Sequence, residues 1–353
     1  MNKFREKTMG MFEYKQGLMA FSAALSGAAM LVSTCIAGAQ EQTTINFMMN
    51  SPAAGYNSGF ELAKVRGYYE AEGLNVNIEP GNGSAVAAQL VAAGRYDIAF
   101  ADAAAVMNLV KDGAPITIVA TILQSSPNQI TFLADSGATK PTDMKGKRVA
   151  IPNGYSQAAM FPLVLDHIGL TEDDINLINM PAESMVASLL QGQVDVILGS
   201  IDNFGVLLKK QGAKTVDFLY SDYGAPAVST GVIVRTPYLQ ENPDVVRAFL
   251  RASLKGWSDA IDDNEAALAA MSEVFPDANR ELAPGQLDAT EVLMCSNGAH
   301  FVGKATQEAW TGTIKTLSAI GILPSDKPAS EYYSYEYLPE ESKLRKCPLG
   351  AAG

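Results

Sequence analysis

Five short segments of this chain gather amide, hydroxyl, carboxylate and aromatic side chains at spacings that suit the capture of a small polar molecule. The first holds Asn50, Ser51, Tyr56 and Asn57, and the second is Gly81-Asn82-Gly83-Ser84. The third centres on Asp102, and the fourth is Asn153-Gly154-Tyr155-Ser156. The fifth runs from Gly199 to Asn203 and ends in the polar pair Asp202 and Asn203; Tyr223 adds a further ring. Carboxylates accept hydrogen bonds from amino or amidine-like groups, and aromatic rings stack on flat heterocycles. Glycines at a helix start let backbone N–H groups approach a ligand closely. None of these segments carries Arg or Lys, the side chains that a sulfonate or nitrate site needs. A purely structural role stands beside each reading: Tyr56 as an exposed loop ring, Ser84 as an N-cap, Asp102 as the cap of the helix that follows.

Catalytic chemistry has less support. The chain has two histidines, His167 before Gly169 and His300 after Cys295, and neither falls in these segments. No HExxH, GxSxG or CxxC pattern is present, nor a phosphate-binding GK[ST] loop, and the Gly-x-Gly pair at 81–83 lacks the third glycine of a dinucleotide fingerprint. The expectation is a binding protein with no catalytic residue, no metal and no cofactor.

The elements that must position these segments alternate between strand and helix, which implies an α/β fold with largely parallel sheets. Strands are expected at 44–49, 74–78, 96–101 and 116–122, with helices at 59–69, 84–93 and 104–111 between them. A second round follows: strands at 147–151, 175–179 and 194–198, and helices at 157–168 and 183–191. The rounds resemble each other. AAGRYDIAF (92–100) and LLQGQVDVI (189–197) pair Gly94 with Gly192 and Asp97 with Asp195, so two similar lobes are expected. Both aspartates start strands and read as structural. In open α/β sheets a ligand sits outside the carboxyl ends of the strands, and that rule selects the five segments. After a strand at 231–235, residues 243–262, 264–275 and 306–320 read as amphipathic helices, and the chain turns aromatic and turn-rich from 330.

Several segments together resemble a known family: ELAKVRGYYEAEGLNV (61–76), AAGRYDIAFADAAAV (92–106), MKGKRVAIPNGYS (144–156), LLQGQVDVILGS (189–200) and TGVIVRTPYLQENPDVVRAFLRASLKGW (230–257). The chain looks like the periplasmic binding proteins for sulfonates, nitrate and thiamine pyrimidine precursors, with the last segment closest to the pyrimidine-precursor branch. The resemblance implies a two-lobed periplasmic binding protein fold, each lobe a mainly parallel sheet flanked by helices. Lobe 1 would be 40–130 plus 228–329, lobe 2 would be 131–227, and 330–353 would be a tail. The crossings would lie at 129–134 and 223–228, with the ligand between the lobes. The implied function is ligand capture for an ABC permease and its ATPase, by a monomer that closes on an amino-bearing heterocycle. A periplasmic sensor that binds without transport remains an alternative, as does a binding protein for sulfonate- or nitrate-type anions. A third alternative is the enzyme relative, thiamine pyrimidine synthase. That enzyme has a CCCFC motif where this chain has Gly224-Ala225-Pro226-Ala227-Val228, and a histidine where Asn57 stands. The pyrimidine-binding relatives place an acid near Asp202 and an aromatic residue just after the first strand, where this chain has Met48-Met49-Asn50.

The N-terminus reads as a targeting signal. Lys3, Arg5, Lys7 and Lys15 precede an uncharged stretch from Gly17 to Gln40 that ends in the small-x-small pattern Ala37-Gly38-Ala39. Cleavage after Ala39 would leave roughly 310 residues in the periplasm, enough for two domains. A membrane anchor, or lipidation at Cys35, is the alternative. The net charge is −12, and removing 1–39 makes it more acidic, which disfavours nucleic-acid partners. Cys295 and Cys347 would remain as a candidate disulfide, with two free thiols as the alternative.

Overall fold

The computed structural model describes residues 42–152, 156–324 and 326–348. The expected leader 1–39, with Cys35, lies outside the described residues, as do Asn153, Gly154 and Tyr155 of the fourth segment. No helix among the described residues is long and apolar enough to cross a membrane.

Ten strands form two five-stranded sheets among these residues. The first contains β1 (Thr43–Met48), β2 (Leu74–Glu79), β3 (Ile98–Asp102), β4 (Ile116–Thr121) and β10 (Thr230–Arg235), in the order β2-β1-β3-β10-β4. The second contains β5 (Asn128–Leu133), β6 (Arg148–Pro152), β7 (Asn176–Met180), β8 (Val196–Ser200) and β9 (Thr215–Leu219), in the order β7-β6-β8-β5-β9. The two orders match strand for strand. In each sheet three neighbouring strands are parallel, and the reversed strand is the one that enters from the other lobe: β10 in the first, β5 in the second. This is the two-lobed α/β fold expected from the repeat.

Burial explains the strand types. Leu74, Val76 and Ile78 of β2 point inward while Asn75 and Asn77 face out, as an edge strand requires. Ile98, Ala99, Phe100 and Ala101 of β3 are buried without alternation, because helices cover both faces. The helices are α1 (Ser58–Val65), α2 (Tyr68–Ala71), α3 (Ser84–Ala92), α4 (Ala103–Val110), α5 (Ser156–Ile168), α6 (Ala182–Leu190), α7 (Val206–Lys210), α8 (Thr236–Glu241), α9 (Pro243–Asp262), α10 (Asn264–Val274), α11 (Ala283–Met294) and α12 (Gln307–Ala319). The repeat marks identical joints. Gly94 and Gly192 follow α3 and α6 at φ 68° and 66°, the left-handed stop that glycine adopts without strain. Asp97 receives the Arg235 guanidinium at 2.7 Å and Asp195 receives that of Arg148 at 2.7 Å, so each aspartate pins a strand start. The Arg148 guanidinium, against the cost of burial, holds the Asp195 carboxyl down at about 2.

The crossings differ from expectation in one respect. Residues 129–133 belong to β5, which pairs with both β8 and β9, so the first crossing is 122–127. It runs beside the return crossing at 220–229. Ser126 N–H donates to Ala227 O at 2.8 Å, and Ser229 N–H donates to Leu123 O at 3.0 Å.

The C-terminal tail covers the edge of β4. Ile118 N–H donates to Tyr332 O at 3.0 Å, and Ser334 N–H donates to Ile118 O at 2.9 Å. Tyr333 stacks on Trp310 at 4.4 Å between ring centres, and the Trp310 Nε1–H donates to Tyr335 OH at 2.9 Å. Cys295, just after α11, is joined to Cys347 of the tail by a disulfide. The bridge spans 52 residues. Replacing both cysteines with serine should therefore lower unfolding free energy by about 3 kcal/mol, read as a lower urea midpoint with a steeper slope, because the unfolded chain opens further. A midpoint that does not move would show that tail packing alone holds the segment.

Candidate functional site

The carboxyl ends of the first lobe's strands carry two interlocked loops. Gly83 N–H donates to Asn50 O at 2.7 Å and Gly81 N–H to Ser51 O at 2.9 Å, so the loops after β1 and β2 support each other. Ser51 Oγ lies 3.3 Å from both Asn57 Oδ1 and Asn50 Oδ1, either of which can accept its single proton. Asn57 is completely buried, and its Nδ2 has no partner. Tyr56 is half-buried in the tight turn 55–57. Burial pushes its hydroxyl pKa up, a hydrogen bond with Ser51 opposes this, and the Asp202 carboxylate of the other lobe adds to it. Ser84 is the first residue of α3, and Gly83 rather than Ser84 is its N-cap.

Asp102 is committed inside its own lobe. Its Oδ1 accepts Ala104 N–H and its Oδ2 accepts Ser229 Oγ–H, both at 2.9 Å, which makes it the N-cap of α4. Burial raises its pKa and these donors lower it. The helix-capping role thus occupies one oxygen and the return crossing the other.

In the second lobe, Asp202 sits on the wide turn Ile201–Gly205 that links β8 to α7. Single wide turns of this kind occur often at functional sites. Burial raises the Asp202 pKa against hydrogen bonds from the Ser200 hydroxyl and its own backbone N–H. Asn203 beside it is exposed. Ser156 Oγ–H donates to Asn128 Oδ1 at 3.1 Å at the start of α5. Tyr223 is half-buried at the return crossing and packs edge-on against Phe218 at 5.9 Å. The turns that carry Tyr56 and Asp202 both lie against α11, where Gln286 Oε1 accepts the Gly55 N–H at 3.1 Å and Gly285 meets Val206, while Asp102 and Ser156 are engaged within their own lobes.

A polar seam at the hinge lay outside the sequence reading. Gln124, Ser125 and Ser126 in the first crossing, Asn128 and Gln129 at the start of β5, and Gln157 in α5 are all buried. Four atoms of this seam have no hydrogen-bond partner: Gln124 Oε1, Ser125 Oγ, Gln129 Oε1 and Gln157 Oε1. Gln157 Nε2 donates to Gly199 O at 3.2 Å, which fixes its free oxygen beside the β8 end. Buried polar atoms are nearly always paired, so unpaired ones at the mouth of two sheets are ligand-facing candidates. The signal was present as the polar run Gln124-Ser125-Ser126-Pro127-Asn128-Gln129 between apolar strands. It was missed because the crossing was expected several residues later.

The site is neutral to acidic, and among the described residues no group of three His, Cys, Asp or Glu could hold a metal ion. It can accept from amino groups at Asp202, Gln124 and Gln157, donate from Asn57 and Ser125, and offer the Tyr56 ring.

Several known proteins are similar to this chain. A formylaminopyrimidine-binding protein of Halalkalibacterium halodurans is 25% identical, covering 82% of this chain and 89% of the relative. The riboflavin-binding protein RibY of Chloroflexus aurantiacus is 24% identical over 79% of this chain and 82% of its own length. A 4-amino-5-hydroxymethyl-2-methylpyrimidine phosphate synthase of Saccharomyces cerevisiae, THI13, is 26% identical over 84% and 89%. Among solved structures, the periplasmic sulfonate-binding protein SsuA of Methylobacillus flagellatus superposes with a TM-score of 0.62 at 16% identity, over 84% of this chain and 93% of that one, which speaks to fold alone. The family model described as NMT1/THI5 like matches residues 55–267, from the Tyr56 turn through both lobes and into α10. The chain belongs to the NMT1/THI5-like family.

Proposed function

We propose that this protein is the substrate-binding component of an ABC importer, exported through its leader, and that it captures an amino-bearing heterocycle of the pyrimidine-precursor kind. The observation that carries the reading is Asp202, half-buried on the turn after β8, where burial raises its pKa and no basic side chain opposes this. A buried acid without a cation wants an amino or cationic ligand group. The tyrosine ring supplies a flat apolar face for the heterocycle. Gln124, Gln157, Ser125 and Asn57 supply the remaining donors and acceptors from the hinge and from both lobes. The relatives that bind formylaminopyrimidine and riboflavin agree with a nitrogen heterocycle. Capture rather than synthesis is supported by Gly224–Val228, which has no cysteine, and by Asn57, where the resemblance puts the synthase histidine. Ligand bridging the two loop sets would hold the lobes closed, and a permease would read the closed form.

The test is a thermal-shift panel on purified, refolded protein: formylaminopyrimidine, an aminohydroxymethylpyrimidine, riboflavin, an aliphatic sulfonate and nitrate. A nitrogen heterocycle at a hundredfold excess over Kd should add about 2.7 kcal/mol and raise Tm by several degrees. A shift with the anions alone would overturn the heterocycle reading. Turnover of any heterocycle by the protein would replace capture with catalysis.

A further inference from the structure

Helix α11 touches both ligand-facing turns at once. On the first lobe, Gln286 Oε1 accepts the Gly55 N–H at 3.1 Å. Gly55 lies so close to the helix that an added Cβ would stand 2.0 Å from Ala283 O. On the second lobe, a Cβ added at Gly285 would stand 2.8 Å from Val206 Cγ1, and Glu281, just before α11, pairs with Lys210 of α7. Val206 directly follows the turn that carries Asp202, and Gly55 directly precedes Tyr56. The far end of α11 is fixed to the hinge: Gln124 N–H donates to Leu293 O at 3.0 Å and Asn297 Nδ2 to Gln124 O at 3.1 Å. Cys295 then ties that end to Cys347.

We propose that α11 is a spacer that sets how far the lobes close, with Gly285 the positioning residue that lets Val206, and with it Asp202, come up to Tyr56. Its effect on ligand rests on the capture reading, whereas its effect on lobe spacing does not. One helix is held on one side by a hydrogen bond to the Tyr56 turn and on the other by direct contact with the residue after the Asp202 turn. Its width at that contact therefore fixes the distance between the two ligand-facing groups. A side chain at Gly285 would put its Cβ 2.8 Å from Val206 Cγ1, closer than van der Waals contact allows, so Val206 must shift. A cleft that cannot close fully holds its ligand less long, so the cost should fall on dissociation.

Gly285→Leu is the test, since leucine favours the helix and leaves the first-lobe contacts in place. Formylaminopyrimidine is the probe. The expected result is dissociation faster by about tenfold, association changed by less than about threefold, and a Tm lower by no more than a few degrees. Small-angle scattering should give a larger radius for the variant than for the native protein, with and without probe. Gly285→Ala alone should change dissociation and radius in the same direction by less, and adding Val206→Ala, which removes the two methyl groups that the new Cβ meets, should return both to near native values. Native radius and native dissociation in Gly285→Leu would overturn the proposal, as would failure of the paired change to restore them. If the native protein binds none of the panel, the capture reading fails by itself. The spacer then stands or falls on whether Gly285→Leu enlarges the radius of the free protein.

Discussion

Glu61→Gln should stabilise the fold by on the order of 5 kcal/mol at pH 8 and above, and leave it unchanged near pH 4. Glu61 lies in the first turn of α1, is completely buried, and neither of its oxygens has a hydrogen-bond partner on another residue. Burial raises its pKa from 4.5 to about 8, with only its own backbone N–H opposing. The sign follows from which state holds the proton. Below pH 4.5 the carboxyl is protonated both folded and unfolded, so it costs nothing beyond its lost hydration. Between pH 4.5 and 8 the unfolded chain releases the proton and the folded chain keeps it. Stability therefore falls with rising pH through that window, by about 1.4 kcal/mol per unit, and is level above it. Glutamine has the same shape and cannot ionise, so its urea midpoint should stay flat where the native protein's declines. Parallel midpoint curves across pH 4 to 9 would show that water or a cation reaches Glu61.

Why Glu61 was illegible in the sequence is instructive. In ELAKVRGYYEAEG it reads as one of several charged residues on an exposed helix face, and its neighbours Val65 and Arg66 are indeed at the surface. Helices α9 and α10, about two hundred residues later, are both laid along α1. Local periodicity cannot report a partner that distant. The alternation in β2 and the Gly94 and Gly192 stops were legible because each is a local rule: a side-chain period of two, and a left-handed residue that glycine fills without strain. Helix α11 lay between these cases. Its opening Ala283-Pro284-Gly285 reads as a turn, and no helix was expected there. Yet proline fits a first helical turn, and the glycine serves a contact with Val206 in the other lobe rather than a bend. Asp102 shows the opposite limit. The sequence offered it as ligand or cap, and only the positions of Ala104 and Ser229 assign both its oxygens.

Asp202→Ala should weaken binding of an aminopyrimidine by on the order of a thousandfold while leaving Tm in the absence of ligand unchanged or higher. The loss follows from truncating one member of a buried, hydrogen-bonded polar pair, which costs about 2–5 kcal/mol, largely because the ligand's amino group is left desolvated and unpaired. Stability should not suffer, because Asp202 is held against the pull of burial without a cation in the free protein. The same carboxylate sets a pH dependence. Burial raises its pKa, and the ionised form is the one that accepts from an amino group. Affinity should therefore hold at neutral pH and fall as pH drops through that raised value, beginning at a higher pH than for an ordinary aspartate. Asp202→Asn keeps an acceptor oxygen and removes the titration, so its binding should be weaker at pH 7 but level across the acid range. Asp102→Asn separates ligand contact from scaffold. With both oxygens engaged inside the first lobe, the asparagine still caps α4 but loses the charge, whereas Asp102→Ala removes the cap and should lower stability by about 1 kcal/mol; both should change Kd little. If Asp102 rather than Asp202 governed affinity, the ligand would have to sit against α4. The cleft defined by Tyr56, the hinge seam and the turn after β8 would then be the wrong one.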